Sequence, residues 1–322
     1  MEILSDIKSR AHELGFDACG VARRRTMQAE YTALEAWTGS GRHAGMDYLT
    51  RYADLRIDPA RLFGGTESVI VCLISYKTAR PYSPGIPRIA SYARSADYHY
   101  TVKQKLEQLL AFIREAVPGT EGRCFVDSAP VLEKNWAVEA GLGWMGRNSL
   151  LIHPELGSFC FIGIILTTLR PDGYDPPFAK NLCGNCRKCV DACPVGAIGE
   201  DGFIDARRCL SYQTIENRGP VPDELLPGLG DRLFGCDTCQ EVCPWNVKPV
   251  DREHRIFAPV EGIYEMGAGD WLALGSGAFK RRFGQTPLAR AGLKKLKQTL
   301  LQKERERVGE EGAACPGNGE SG

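Results

Sequence analysis

Residues 183–198 read CGNCRKCVDACPVGAI, and no other stretch limits so tightly what this chain can fold into. Cys183, Cys186, Cys189 and Cys193 follow the pattern C-x2-C-x2-C-x3-C, with Pro194 directly behind. In that spacing three thiolates hold one iron–sulfur cube and the fourth reaches across to another. A second cube needs further cysteines, and Cys209, Cys236, Cys239 and Cys243 supply them, the last again followed by a proline, Pro244. Crossed ligation assigns Cys183, Cys186, Cys189 and Cys243 to one 4Fe-4S cluster and Cys193, Cys209, Cys236 and Cys239 to the other.

Other uses of these thiols fit less well. Paired C-x2-C units also bind structural zinc, but zinc gives no reason for the tight run with its trailing proline to occur twice in related form. A disulfide framework is disfavoured because the 322-residue chain carries thirteen cysteines, an odd number. Its opening, MEILSDIK, also lacks the charged-then-apolar pattern of a secretory leader. A reducing compartment, the cytoplasm, is expected. The C-x3-C-x2-C run of radical enzymes that use S-adenosylmethionine is absent.

A length of 322 residues accommodates about two domains. The longest apolar run, FCFIGIILTTL from Phe159, is strand-sized and short of the ~20 residues that span a bilayer. Forty basic residues balance forty acidic ones, so a nucleic-acid partner would have to be met by a local patch.

SDIKSRAHELGF predicts a first helix with Ser5 as N-cap and Gly15 as stop. The strand ACGVAR, a helix over 26–37 and the buried strand ESVIVCLISY follow. Beyond the proline-rich ARPYSPGIPR, a long amphipathic helix is expected from His99 to about Ala116. RCFVD then reads as a strand, APVLEKNWAVEAG as a helix, and NSLLIH with SFCFIGIILTTL as a hairpin joined by PELG. RPDGYDPP breaks the alternation, which sets domains at 1–175, 176–250 and 251–322. Cys19, Cys72, Cys124 and Cys160 sit in apolar strand patterns and are expected as core thiols; Cys315 lies in a glycine-rich stretch expected to be disordered.

An appended two-cluster module is a wire, and a wire needs a terminus. Neither G-x-G-x-x-G at a strand-to-helix junction nor G-x-x-x-x-G-K-[ST] is present, so nicotinamide and nucleotide chemistry have no local support. Seven ordered motifs supply an answer: DYH at 97–99, VDSAPVLEK at 126–134, AGLGWMGRNSLL at 140–151, ELGSF, ACPVGAI, DARRCLSYQTIE at 205–216 and GCDTCQEVCPWN at 235–246. Together, over roughly residues 1–250, they resemble the epoxyqueuosine reductases, which use cobalamin and two 4Fe-4S clusters and are similar to corrinoid reductive dehalogenases. The resemblance implies an α+β fold: a cobalamin-binding, nitroreductase-like α/β domain, a bacterial two-cluster ferredoxin-like domain and a short helical C-terminal tail.

The implied reaction is two-electron removal of the epoxide oxygen from epoxyqueuosine at the tRNA wobble position, giving queuosine. The resemblance also implies site residues. Asp127 falls on the family's general acid, and to donate a proton near neutral pH it has to be shielded from water. Asp127 or Ser128 ahead of APVLEK equally suits a helix N-cap. Arg56, His153, Ser211 and Tyr212 fall on cobalamin contacts, with Asn148 and Ser149 as further candidates beside Asp127, and Tyr98 and His99 at the substrate mouth. No D-x-H-x-x-G signature is present, so base-off cobalamin without a protein histidine ligand is expected.

The far end departs from relatives that continue into helical repeats. RAGLKKLKQTLLQKERERVGEEG reads as one basic helix, with KRR at 280–282 upstream. Such a helix is either a reduced phosphate-binding element or a solvated charged face. A monomer fed by a low-potential donor such as flavodoxin or ferredoxin is expected. Two alternatives share the clusters: a corrinoid reductase of a small molecule such as an organohalide, and a ferredoxin-type carrier. The former usually carries a twin-arginine signal, which MEILSDIK lacks; the latter leaves the first domain without a role.

Overall fold

The computed structural model describes residues 2–78, 82–247 and 257–313, with side chains as far as residue 306. Cys315 and its neighbours lie outside the described residues. A four-stranded antiparallel sheet forms the centre, in the order Ala18–Arg23, Ser68–Ser75, Cys160–Thr167, Gly122–Phe125. Ser68–Ser75 is buried at every position, as an inner strand covered on both faces requires. Ile70, Cys72 and Ile74 meet the helices Ile3–Glu13 and Tyr98–Ala116, while Val69, Val71 and Leu73 meet the helix Glu133–Glu139 and its buried Trp136. This is the period-two alternation of a strand dividing two cores. Cys19, Cys72, Cys124 and Cys160 pack in these layers as expected.

Three local expectations are corrected. The first helix starts after Glu2 rather than at Ser5, because the Asp172 carboxylate accepts the Leu4 N–H at 3.0 Å and does the work of a cap. Gly15, at φ 86°, does stop it. The hairpin across PELG is not formed: Leu151–Ile152 pairs with Trp144–Met145, and Cys160–Thr167 lies between two other strands. The His153–Gly157 bridge closes that turn. A strand eight residues long finds matching length in Ser68–Ser75 and not in the two-residue Leu151–Ile152. The helix expected from APVLEK begins only at Glu133, since Pro130 biases the residue before it away from helical geometry.

The cysteine-rich module carries short helices at its ligand runs: Lys188–Asp191 contains Cys189, Thr238–Glu241 contains Cys239, and Leu210–Ile215 follows Cys209. It is tied back to the sheet domain by Arg88–Ile89, which pairs in parallel with Arg232–Phe234. The described part of the last region is helical but not peripheral. Ala268–Ala273, Ser276–Phe283 and Gly292–Ala313 bury Trp271, Phe283, Leu296 and Leu300 against Ile89 and Phe234. Among the described residues no helix is long and apolar enough to cross a membrane.

Candidate functional site

The chain's eight motif cysteines fall into two neighbouring groups. Cys183, Cys186, Cys189 and Cys243 line one cavity of about 300 Å³ with Asn148, Ile152 and Trp245. Cys193, Cys209 and Cys236 pack together on the apolar cluster of Val195, Leu210 and Leu229. Burial pushes the thiols of Cys243 and Cys209 up. The thiols of Cys183 and Cys186 push Cys243 further, and those of Cys236 and Cys193 push Cys209. Cys239 is raised by burial, then by Cys236 and Cys209, and less by Cys189 of the other group. Thiols held neutral in this way must release their protons to bind metal. Trp144 Nε1–H donates to Cys183 Sγ at 3.3 Å, and its ring meets that of Trp245 edge-on at 4.9 Å.

Beneath the first group lies a polar weld that sequence reasoning missed. Asn246 Oδ1 accepts the Ser158 N–H at 2.7 Å, and Asn246 Nδ2 donates to Ser158 Oγ at 2.9 Å and to the Gln240 carbonyl at 2.8 Å. Ser158 Oγ in turn donates to Gln240 Oε1 at 2.9 Å. Gly157, at φ 72°, leaves room for this: a Cβ there would sit 1.9 Å from Asn246 Oδ1. The motifs ELGSF and CPWN are thus two halves of one joint between the sheet domain and the cysteine module.

Asp127 follows the strand Gly122–Phe125 and is left-handed, at φ 48°. It caps no helix, because the next one begins after Leu132. Its N–H donates to Glu133 Oε1 at 2.8 Å. Asp127 Oδ2 accepts from the Tyr98 hydroxyl at 2.8 Å and lies 3.9 Å from His99 Nε2, with the side chain 67% exposed. Tyr98 is itself fixed: its ring stacks on Phe161 at 4.0 Å and on His99 at 4.2 Å. Burial first, and the Asp127 carboxylate next, push the Tyr98 hydroxyl far up, so it remains a donor. His99 is raised by its hydrogen bond to Asp97, which lies 2.6 Å from Nδ1 and also caps the helix at the His99 N–H. Burial, helped by Asp127, pushes Glu133 up to about 8.

The other expected residues divide between the two sides. Arg56 is lowered by burial and feels Glu133 and Asp127; its Nε is buried with no hydrogen-bond partner. Tyr212, three residues past Cys209, accepts the Gly45 N–H at 2.9 Å and so ties the cysteine module to the 41–49 loop, with Ser211 beside it. Asn148 is 1% exposed and turns to the cysteine cavity. Ser149 Oγ donates to the Gly202 carbonyl at 2.6 Å. His153 Nδ1 accepts the N–H groups of Glu155 and Leu156 and organises the PELG turn. Arg290, not singled out from sequence, pairs with Glu216 through two bonds of 2.6 and 3.0 Å and lies over Tyr48. In the basic C-terminal helix, Lys295 and Lys297 donate to the carbonyls of Gly219 and Leu272, and Lys303 pairs with Asp231. Those cations serve packing rather than a free phosphate-binding face.

A two-cluster cysteine module welded to an α+β domain with a carboxylate turn defines an iron–sulfur oxidoreductase. Residues 182–246 match the 4Fe-4S double cluster binding domain, and residues 56–128 match the model described as Epoxyqueuosine reductase QueG, DUF1730. The epoxyqueuosine reductase of Cyclobacterium marinum is 39% identical over 286 residues, 88% of this chain and 91% of its own. That of a Synechococcus species is 44% identical over 244 residues, covering 74% and 75%. A crystal structure of epoxyqueuosine reductase with an epoxyqueuosine-modified tRNA-Tyr stem loop matches with a TM-score of 0.86 and 27% identity, over 94% of this chain and 80% of that one. The Bacillus subtilis enzyme, with its aspartate-bearing catalytic loop swung out of the active site, matches at 0.82 and 26% over the same shares. This chain belongs to the epoxyqueuosine reductase family.

Proposed function

We propose that the chain reduces epoxyqueuosine to queuosine in tRNA, with Asp127 as the proton donor to the departing oxygen. The observation that carries this is the Asp127 turn, which holds an accessible carboxylate on Tyr98, 2.8 Å away, in a chain that matches its relatives over most of its length. Turning an epoxide into an alkene and water consumes two electrons and two protons. Cys183, Cys186, Cys189 and Cys243 hold one 4Fe-4S cluster, and Cys193, Cys209, Cys236 and Cys239 hold the other; the thiol groups adjoin, which suits single-electron steps between them.

Cobalamin, when bound, supplies the strongly reducing centre that works on the epoxide. The residues present fit such a group. The unpartnered Arg56 Nε offers a buried donor, and Ser211 and Tyr212 stand between the second cysteine group and the 41–49 loop. His99 is tied to Asp97, and His153 Nδ1 to its own turn. A base-off corrin is the form expected here, because the sequence lacks the D-x-H-x-x-G signature. Asn148 and Ser149 support the cluster side, by their contacts with Cys239 and Gly202. Asp127 receives its hydrogen bond from Tyr98, which fixes where the carboxyl would meet the departing oxygen. The chain acts as a monomer in the reducing cytoplasm, where its thiols stay reduced, and draws electrons from a low-potential flavodoxin or ferredoxin.

The test is anaerobic turnover. Chain reconstituted with iron, sulfide and cobalamin, and reduced chemically, is expected to convert an epoxyqueuosine-bearing tRNA stem loop to its queuosine form. Conversion of an organohalide with no reaction on the stem loop would replace this function by small-molecule reduction.

A further inference from the structure

Among the described residues other than glycine, four have a left-handed backbone: Ala44, Tyr52, Asp127 and Ser149. Such a conformation is disfavoured for any residue with a side chain and persists only where its surroundings impose it. Two of the four are held by consecutive residues on the first turn of one helix. Glu133 Oε1 accepts the Asp127 N–H at 2.8 Å, and Lys134 Nζ donates to the Ser149 carbonyl at 2.6 Å. The helix that carries them is anchored two residues on by Trp136 and Ala137, both fully buried.

Resting on Asp127 as the acid, we propose that Glu133 is a positioning residue for the reaction: it fixes the backbone of the Asp127 turn and so aims the carboxylate at Tyr98. Lys134 fixes the neighbouring Ser149 turn, whose hydroxyl reaches Gly202 of the cysteine module. The two letters that end VDSAPVLEK therefore tie the acid turn and the cluster-side turn to one rigid helix start.

A bland account exists, since an acidic residue in the first turn of a helix is favoured by the helix dipole anyway. It does not explain the direction of this one. Glu133 reaches six residues back to the Asp127 N–H, and it lies close enough to the Asp127 carboxylate to be raised by it as well as by burial, against the opposing pull of the Asp127 N–H itself, Arg56 and Lys134. Burying a carboxyl beside a second one is unfavourable to its charged form, and the helix dipole alone does not call for that placement. A requirement to hold residue 127 accounts for it.

The experiment compares Glu133→Ala with Glu133→Gln, which keeps an acceptor oxygen, in prereduced, cobalamin-loaded enzyme. Glu133→Ala should lower the single-turnover rate by about 10²-fold, as misplacing a reacting group by an ångström does, with iron content and visible spectrum unchanged. Glu133→Gln should stay close to wild type. Hydrogen–deuterium exchange at the Asp127 amide should quicken in the alanine variant and not in the glutamine one. In an Asp127→Asn background, Glu133→Ala should add no further loss, because a positioning residue acts only through its target. If Glu133→Ala loses its clusters, Glu133→Met, which fills the space without an acceptor, takes its place. Unchanged amide exchange, or an undiminished loss in the Asp127→Asn background, would overturn the inference. Normal turnover by Asp127→Asn alone would instead remove the acid role, and the amide exchange would still decide whether Glu133 holds the turn.

Discussion

Around the Cys243 turn, residues Asn246, Ser158 and Gln240 are 5%, 6% and 8% exposed and bond one another several times over. The Asp127 side chain is 67% exposed and rests on one tyrosine hydroxyl. The first arrangement is a closed polar seat, and the second is a turn whose backbone is held by Glu133 while its carboxyl stays open to water. Electron transfer between clusters needs fixed distances and no access to water, whereas a proton donor has to admit a bulky substrate before water is excluded. The difference suits the two proposed tasks.

The strongest expected effect lies on the electron side. Cys193→Ser removes a ligand from the group with Cys209, Cys236 and Cys239, so about half of the iron should be lost and turnover with external reductant should stop. Iron and sulfide analysis decides this, and a full complement in the variant would break the crossed assignment. Next in size is stability. Asn246→Ala strips the Ser158 N–H of its acceptor, and each buried group left unpaired costs about 1–3 kcal/mol. Tyr98→Phe keeps the buried ring and removes a bond whose acceptor, the Asp127 carboxylate, stays open to water, so it should cost less, about 1 kcal/mol, while slowing the reaction. Equal losses for the two variants in denaturant unfolding would erase the contrast between seat and turn.

The smallest effect is a pH dependence. Burial and then the Asp127 carboxylate push Glu133 from its ordinary 4.5 up to about 8. Over that interval the folded chain binds a proton that the unfolded chain has released, so stability from this group is full below 4.5 and falls as pH rises through about 8. Glu133→Gln removes the titration. Thermal unfolding followed between about pH 5 and pH 8 should show a shallower decline in that variant than in the native chain, and parallel declines would count against the burial of Glu133.

The two sides were also unequally legible in the sequence. Cluster ligation is a local spacing rule, and residues 183–193 display it within eleven positions. The four strands and both long helices were readable from their periodicity. The weld was not, because Gly157 and Asn246 are 89 positions apart and meet only after folding; a glycine in ELGSF was its single trace. Asp127 was visible as a motif residue, yet cap and acid could not be separated until the helix start was placed at Glu133. The hairpin expected across PELG was misread because neighbouring apolar runs look like partners, whereas pairing was decided by the eight-residue match to a distant strand. The C-terminal lysines looked like a basic face, and only packing shows that Lys295 is 4% exposed.

Asp127→Asn tests the central claim most directly. Asparagine keeps the size of the side chain and still accepts from Tyr98 but has no proton to give. In a single turnover of prereduced enzyme on epoxyqueuosine-bearing tRNA, with clusters and cobalamin at full load, the variant should be slower by about 10² to 10⁴, the usual worth of general acid catalysis. A near-native rate in that assay would contradict the account and move the proton to water or to another side chain.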